Sequence, residues 1–134
     1  LASMLDELRD HAGARTYLER LVARDQAAHG QNHPRVASSI NDLGGALLGL
    51  SDVAGARACF ERALDIDKAA LGSMHPNTGR DQFNLALALS SQGDADTAQR
   101  LGSQALDVLM KTVPSNHPYA HYAQQHTFIP SSGF

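Results

Sequence analysis

The chain has 134 residues, 43% of them hydrophobic and 5% aromatic, with no tryptophan, enough for one domain with a modest continuous core. A formal net charge of −3 excludes the basic footprint of a nucleic-acid binder, and no apolar run approaches the roughly 20 residues of a membrane span. The single cysteine, Cys59, excludes an intrachain disulfide and fits a reducing, cytoplasmic setting. The opening LASMLDELRD lacks the basic-then-apolar layout of a signal peptide. Its start at Leu1 leads us to expect a piece of a longer chain.

Alanine and leucine are frequent and β-branched runs are missing, which favours helices. At the N-terminus, residues 1–8 read as the tail of a first helix and His11 to Ala28 as its full partner. Over 34–50, Val36, Ile40, Leu43, Leu47 and Leu50 recur at helical spacing. Asp52 is a good N-cap for the next helix, whose stripe is Val53, Ala56, Phe60, Ala63, Leu64 and Leu71. Gly72 suits the residue that closes it. The plan then repeats. Phe83, Leu85, Leu87 and Leu89 mark a helix that Gly93 stops, and Asp94 or Asp96 starts another carrying Ala98, Leu101, Ala105, Leu106 and Leu109. Small residues recur where paired helices would cross: Gly44, Ala46, Ala56 and Ala63, then Ala86, Ala88, Ala98 and Ala105. They allow approach toward the short end of the 8–10 Å interaxial range. Acidic residues such as Asp65 and Asp67 fit solvated helix faces.

The recurrence is a true internal repeat. Residues 1–34 laid over 43–76 are identical at 16 of 34 positions, most densely at DHAGAR over DVAGAR. A looser third copy over 85–118 keeps Leu85, Leu89, Asp94, Ala98, Ala105, Leu106, His117 and Pro118. His33, His75 and His117 each precede a proline (Pro34, Pro76, Pro118) at intervals of 42 residues. A zinc ion needs its ligand nitrogens about 2.0–2.1 Å away, whereas equivalent residues of stacked units lie at least about 8–10 Å apart. The three cannot share an ion within one chain. His-Pro is read instead as a helix-start device, because proline is tolerated at the first helical position and excludes its predecessor from the helix. His117 and His121 of HPYAHYAQQH are weak metal candidates without a nearby carboxylate or cysteine, so no metal or other cofactor is expected. Cys59 lies mid-helix without an activating base and reads as an inert thiol. Gly44-Gly45 falls inside a helix rather than in a phosphate loop. No enzymatic arrangement stands out.

Leu43, Gly44, Leu47, Asp52, Ala56, Phe60, Ala63 and Leu64 resemble the tetratricopeptide repeat signature. The usual period is about 34. The interval of 42, with INDLGG (40–45) and FNLALA (83–88), is similar to the repeats of kinesin light chains and their bacterial relatives. This resemblance implies an all-α, right-handed solenoid of antiparallel helix pairs over 1–128. Its units would run roughly over 1–33, 34–75 and 76–117, with a partial unit over 118–128 and a tail over 129–134. Two positions depart from the pattern: Gly102, where a large apolar residue is usual, and Gln82, where Ile40 stands one repeat earlier.

The same resemblance implies a protein–protein interaction scaffold that takes a peptide in a concave groove lined by the first helix of each unit. Its groove residues would be Ser38, Asn41, Asp42, Gly45 and Leu48, then Arg80, Phe83, Asn84, Leu87 and Ser91. Asn84 and Asn41 would hold a peptide backbone, which suits an amide that both donates and accepts. Arg80 would pair with an acidic ligand residue. Phe83 and Leu87 could equally be core. The alternative function is self-association through residues 118–134, as the sensor or assembly arm of a larger signalling protein.

Overall fold

The computed structural model describes residues 2–112, with side chains from Leu8 onward. Among them are five helices and no strand: α1 (Ala2–His29), α2 (Pro34–Gly49), α3 (Val53–Leu71), α4 (Pro76–Ser91) and α5 (Ala95–Thr112). Each packs on its neighbour in sequence, and α2 also touches α4. Short connections make successive helices antiparallel, so the chain forms an all-α repeat stack in which α2 and α4 lie side by side.

The ends of these helices follow from local chemistry. His33 and His75 are the N-caps of α2 and α4, with proline next in line. The capping atom is the imidazole itself: His33 Nδ1 accepts from the Arg35 backbone N–H, and His75 Nδ1 from that of Asn77, each at 3.1 Å. His-Pro therefore supplies both a side-chain acceptor for an orphan N–H and a residue that has none to satisfy. Asp52 caps α3 through the Gly55 N–H at 3.0 Å. Asp94, not Asp96, takes that part at α5, accepting from the Thr97 N–H at 3.3 Å. Gly72 closes α3 with φ 90° and ψ 168°, a backbone region essentially confined to glycine.

The N-terminal reading needs correction. Residues 1–8 and His11 to Ala28 were expected on two helices, yet α1 runs unbroken from Ala2 to His29. The turn into α3 needs a positive φ at Ser51 (66°), and the turn into α5 one at Gly93 (88°). The residue one repeat before Ser51 is Arg9, preceded by Glu7 and Leu8. All three are good helix formers, and none favours the left-handed region.

Two buried clusters hold the stack. Val36, Ala37 and Ile40 of α2 meet Ala63 and Ile66 of α3, with Val22 of α1 against them. Leu47, Ala56, Phe60, Leu85, Ala88, Leu89 and Ala98 tie α2 through α5 together, with Leu43 packed alongside. The small residues do what their spacing predicts: Ala56, Ala63, Ala98 and Ala105 are at most 2% exposed. A Cβ at Gly44 would stand 2.6 Å from the Phe60 ring, so this glycine sets how closely α2 and α3 approach. Gly102 is buried.

Candidate functional site

Residues one repeat apart occupy matched places on α2 and α4. Ser38, Asp42 and Gly45 follow helical spacing on α2, and Arg80, Asn84 and Leu87 stand 42 residues later on α4, with Ser91 one turn beyond. Asp42, Gly45 and Ser91 are exposed, while Ser38, Arg80, Asn84 and Leu87 are half-buried. Together they form a continuous, largely polar stripe across two helices. Leu48 is half-buried and packs against the larger cluster. A Cβ at Gly45 would meet nothing within 4 Å, so the stripe is open there.

The neighbouring register goes inward. Asn41 and Phe83, themselves 42 residues apart, are 5% and 4% exposed. Asn41 was expected on the groove surface, and Phe83 either there or in the core. The structure places them in the packing between helices, because a step of one residue turns a side chain by about a quarter of the helix circumference. Asn41 is retained inside because it is satisfied: Asn84 Nδ2 donates to Asn41 Oδ1 at 3.0 Å. This bond ties α2 to α4 directly beneath the stripe, and it engages Asn84 as well as Asn41.

Arg80 is the most elaborately held residue of the stripe. Its Nη2 lies 3.2 Å from Asp81 Oδ1 and 3.5 Å from Asp67 Oδ2. Its Nε lies 3.4 Å from the same Asp81 oxygen. Asp67 and Asp81 are both 0% exposed. With both carboxyls ionised, both oxygens of Asp67 and Oδ2 of Asp81 are buried without a hydrogen-bond donor. A proton resolves this. Burial and the hydrogen bond to Asp67 push the Asp81 carboxyl up to about 9, against the pull of Arg80. At neutral pH Asp81 therefore keeps its proton and acts as a donor to Asp67. The Asp67, Asp81 and Arg80 group is then close to neutral, which a buried joint between helices requires. Sequence reading missed this pair and set Asp67 on a solvated face. The available signal was its position: Asp67 stands four residues after Ala63 and seven after Phe60, on the apolar side of α3.

The same joint one repeat earlier is built differently. Asp25 and Ser39 stand 42 residues before Asp67 and Asp81. There the Ser39 hydroxyl donates to Asp25 Oδ2 at 2.5 Å. Elsewhere on the stripe, desolvation by the surrounding helices raises the Asp42 carboxyl, and the Arg80 charge pulls it back. Burial likewise pushes the Cys59 thiol up, which keeps it protonated and inert. No group of three or more His, Cys, Asp or Glu suited to a metal ion occurs among the described residues. His117, His121 and Pro118 lie outside them.

The tetratricopeptide repeat model matches residues 1–69 and again 43–111. The two matches are displaced by 42 residues (43 − 1 and 111 − 69), the interval of the histidines. The chain belongs to the tetratricopeptide repeat family. Two crystal structures of a protein from Podosopora anserina, described as a kinesin light chain with nearly identical TPR-like repeats, are similar to it. One, of a point-substituted form, is 27% identical, with a TM-score of 0.74, over 92% of this chain and 61% of that one. The other is also 27% identical, with a TM-score of 0.75, over 92% of this chain and 62% of that one. This chain thus spans about three fifths of the length of those tetratricopeptide proteins. Comparison with curated proteins finds no match. Tetratricopeptide repeats generally mediate protein–protein interaction. No helix among the described residues is long and apolar enough to cross a membrane.

Proposed function

We propose that this tetratricopeptide segment is a peptide-binding scaffold, without chemistry of its own, working in a reducing, cytoplasmic setting. The ligand lies along the stripe formed by Ser38, Asp42 and Gly45 on α2 and Arg80, Asn84 and Leu87 on α4. The observation that carries this reading is the sorting of two adjacent registers. Asn41 and Phe83 turn inward to hold the helices, while their neighbours Asp42 and Asn84 stay accessible on matched positions. Polar side chains along the stripe suit a peptide backbone, and the half-buried Leu87 offers an apolar contact for one anchor. Leu48 stands at the edge of the same face.

Gly45→Phe tests the reading, since Gly45 is exposed, a Cβ there meets nothing within 4 Å, and phenylalanine is a better helix former than glycine. Affinity capture from native lysate, followed by identification of the bound protein, should yield a partner with the wild-type chain and lose it with Gly45→Phe. Undiminished capture of the same partner by the variant would remove the α2/α4 stripe as the binding face.

A further inference from the structure

Matched positions in the two helix joints differ in one telling way. At the α3–α4 joint, Arg80 fills the space beside Asp67 and Asp81 with its own guanidinium. At the α1–α2 joint, the residue in the place of Arg80 is Ser38. The carboxylate is still there, as Asp25, and so is its hydroxyl partner, Ser39. Beside them lies an open cleft of about 390 Å³, lined by Leu21, Asp25, Arg35, Ser38, Ser39 and Asn77 among others. The fold thus contains one acidic joint whose carboxyls face Arg80 and a second, matching joint in which serine holds that place and Arg35 lines the cleft beside it.

We propose that this cleft binds a guanidinium group from a partner peptide, seated against Asp25 and Ser38 as Arg80 is seated against Asp67 and Asp81. The inference rests on the groove reading, because Ser38 begins the α2 stripe and the cleft therefore forms one end of it.

The chemistry of the lining fits a planar cation. A carboxylate accepts up to about four hydrogen bonds, and the Ser39 hydroxyl uses one. Asp25 is half-buried, so a pair formed there is screened less than one on an open surface. Guanidinium is more weakly hydrated than ammonium and presents several donors in one plane. It can address Asp25 and the Ser38 hydroxyl together. The aliphatic stem of an arginine side chain has Leu21 and Pro34 to lie against. Arg35 is exposed and lines the same cleft, so its charge opposes any cation there and most of all a ligand with a second one close by.

The probe is N-acetyl-arginine amide, with N-acetyl-citrulline amide as its uncharged counterpart, titrated into the 134-residue chain while backbone amide NMR shifts are followed. The expected result is saturable movement of the Leu21, Asp25, Ser38 and Ser39 amides with the arginine probe, with affinity about tenfold weaker for citrulline, the worth of one charge-assisted hydrogen bond. Asp25→Asn keeps an acceptor for Ser39 and should weaken the arginine probe similarly. Ser38→Arg supplies the side chain found in the other joint and should abolish the response while Asp25 remains. Equal response to both probes, no response, or binding that survives Ser38→Arg overturns the proposal. The groove is judged separately. A captured peptide that binds Asp25→Asn as well as wild type removes the subsite and leaves the groove. Capture unaffected by Gly45→Phe, with the arginine probe still seated at Asp25, removes the groove instead.

Discussion

Asp81 meets Asp67 across the α3–α4 joint as Ser39 meets Asp25 across the α1–α2 joint, with a protonated carboxyl in place of a hydroxyl. The exchange makes one joint of the stack sensitive to pH. Folded Asp81 holds its proton up to about pH 9, whereas an unfolded aspartate releases it near about 3.9. Between those values the folded state binds more protons than the unfolded one, so this group's effect on stability becomes less favourable as pH rises. The slope is up to about 1.4 kcal/mol per pH unit. Asp81→Ser should flatten it and, near pH 8, unfold at higher denaturant concentration than wild type. Urea titrations at about pH 6 and about pH 8 check this. A slope that survives the substitution places the titrating group elsewhere.

Adjacent glycines should respond in opposite directions. Gly44→Ala drives a methyl to within 2.6 Å of the Phe60 ring, overpacking the α2–α3 crossing at a cost of about 1–3 kcal/mol. Gly45→Ala meets nothing and should stabilise by about 0.5–1 kcal/mol through helix propensity. Thermal melts of the two variants side by side give the sign of each.

His75→Ala removes the acceptor for the Asn77 N–H and should cost about 0.5–2 kcal/mol, whereas His75→Asn, a strong N-cap, should lose little. Equal losses in both, measured by denaturant titration, would mean that the proline alone starts α4.

Gln82 stands where Ile40 stands one repeat earlier. It is 6% exposed, with Oε1 buried and lacking a hydrogen-bond partner. Gln82→Ile removes an unsatisfied carbonyl and adds apolar burial, so it should stabilise by about 1–3 kcal/mol. A loss of stability in denaturant titration would show that the amide is satisfied by bound water.

The repeat itself was legible in the sequence, because periodicity is carried by residue type alone. The 42-residue interval, the helix stripes, the cap at Asp52 and the small residues at the crossings follow from local spacing and propensity, whereas Asp94 and Asp96 were equally eligible as the next cap. The Gln82 departure was legible too, as a mismatch between aligned units. Which residues of α2 and α4 stay accessible was legible only in part. Gly45, Asp42, Arg80, Asn84 and Leu87 keep accessible places, but Asn41 and Phe83 belong to the interior. The two registers lie side by side on one helix, and only the position of the adjoining helix decides which of them is covered.

The sequence by itself determined the all-α repeat architecture and the family, since those depend on a pattern carried by residues close along the chain. It did not determine α1, where the absence of a left-handed residue at Arg9 lets one helix run through an expected turn. Nor did it reveal which polar residues meet. Asn41 with Asn84, and Asp67 with Asp81 and Arg80, are brought together by packing between helices. Their charge states are set there as well, because a carboxyl's affinity for its proton depends on the solvent it loses and the charges it gains, and both are fixed only when the helices close on one another.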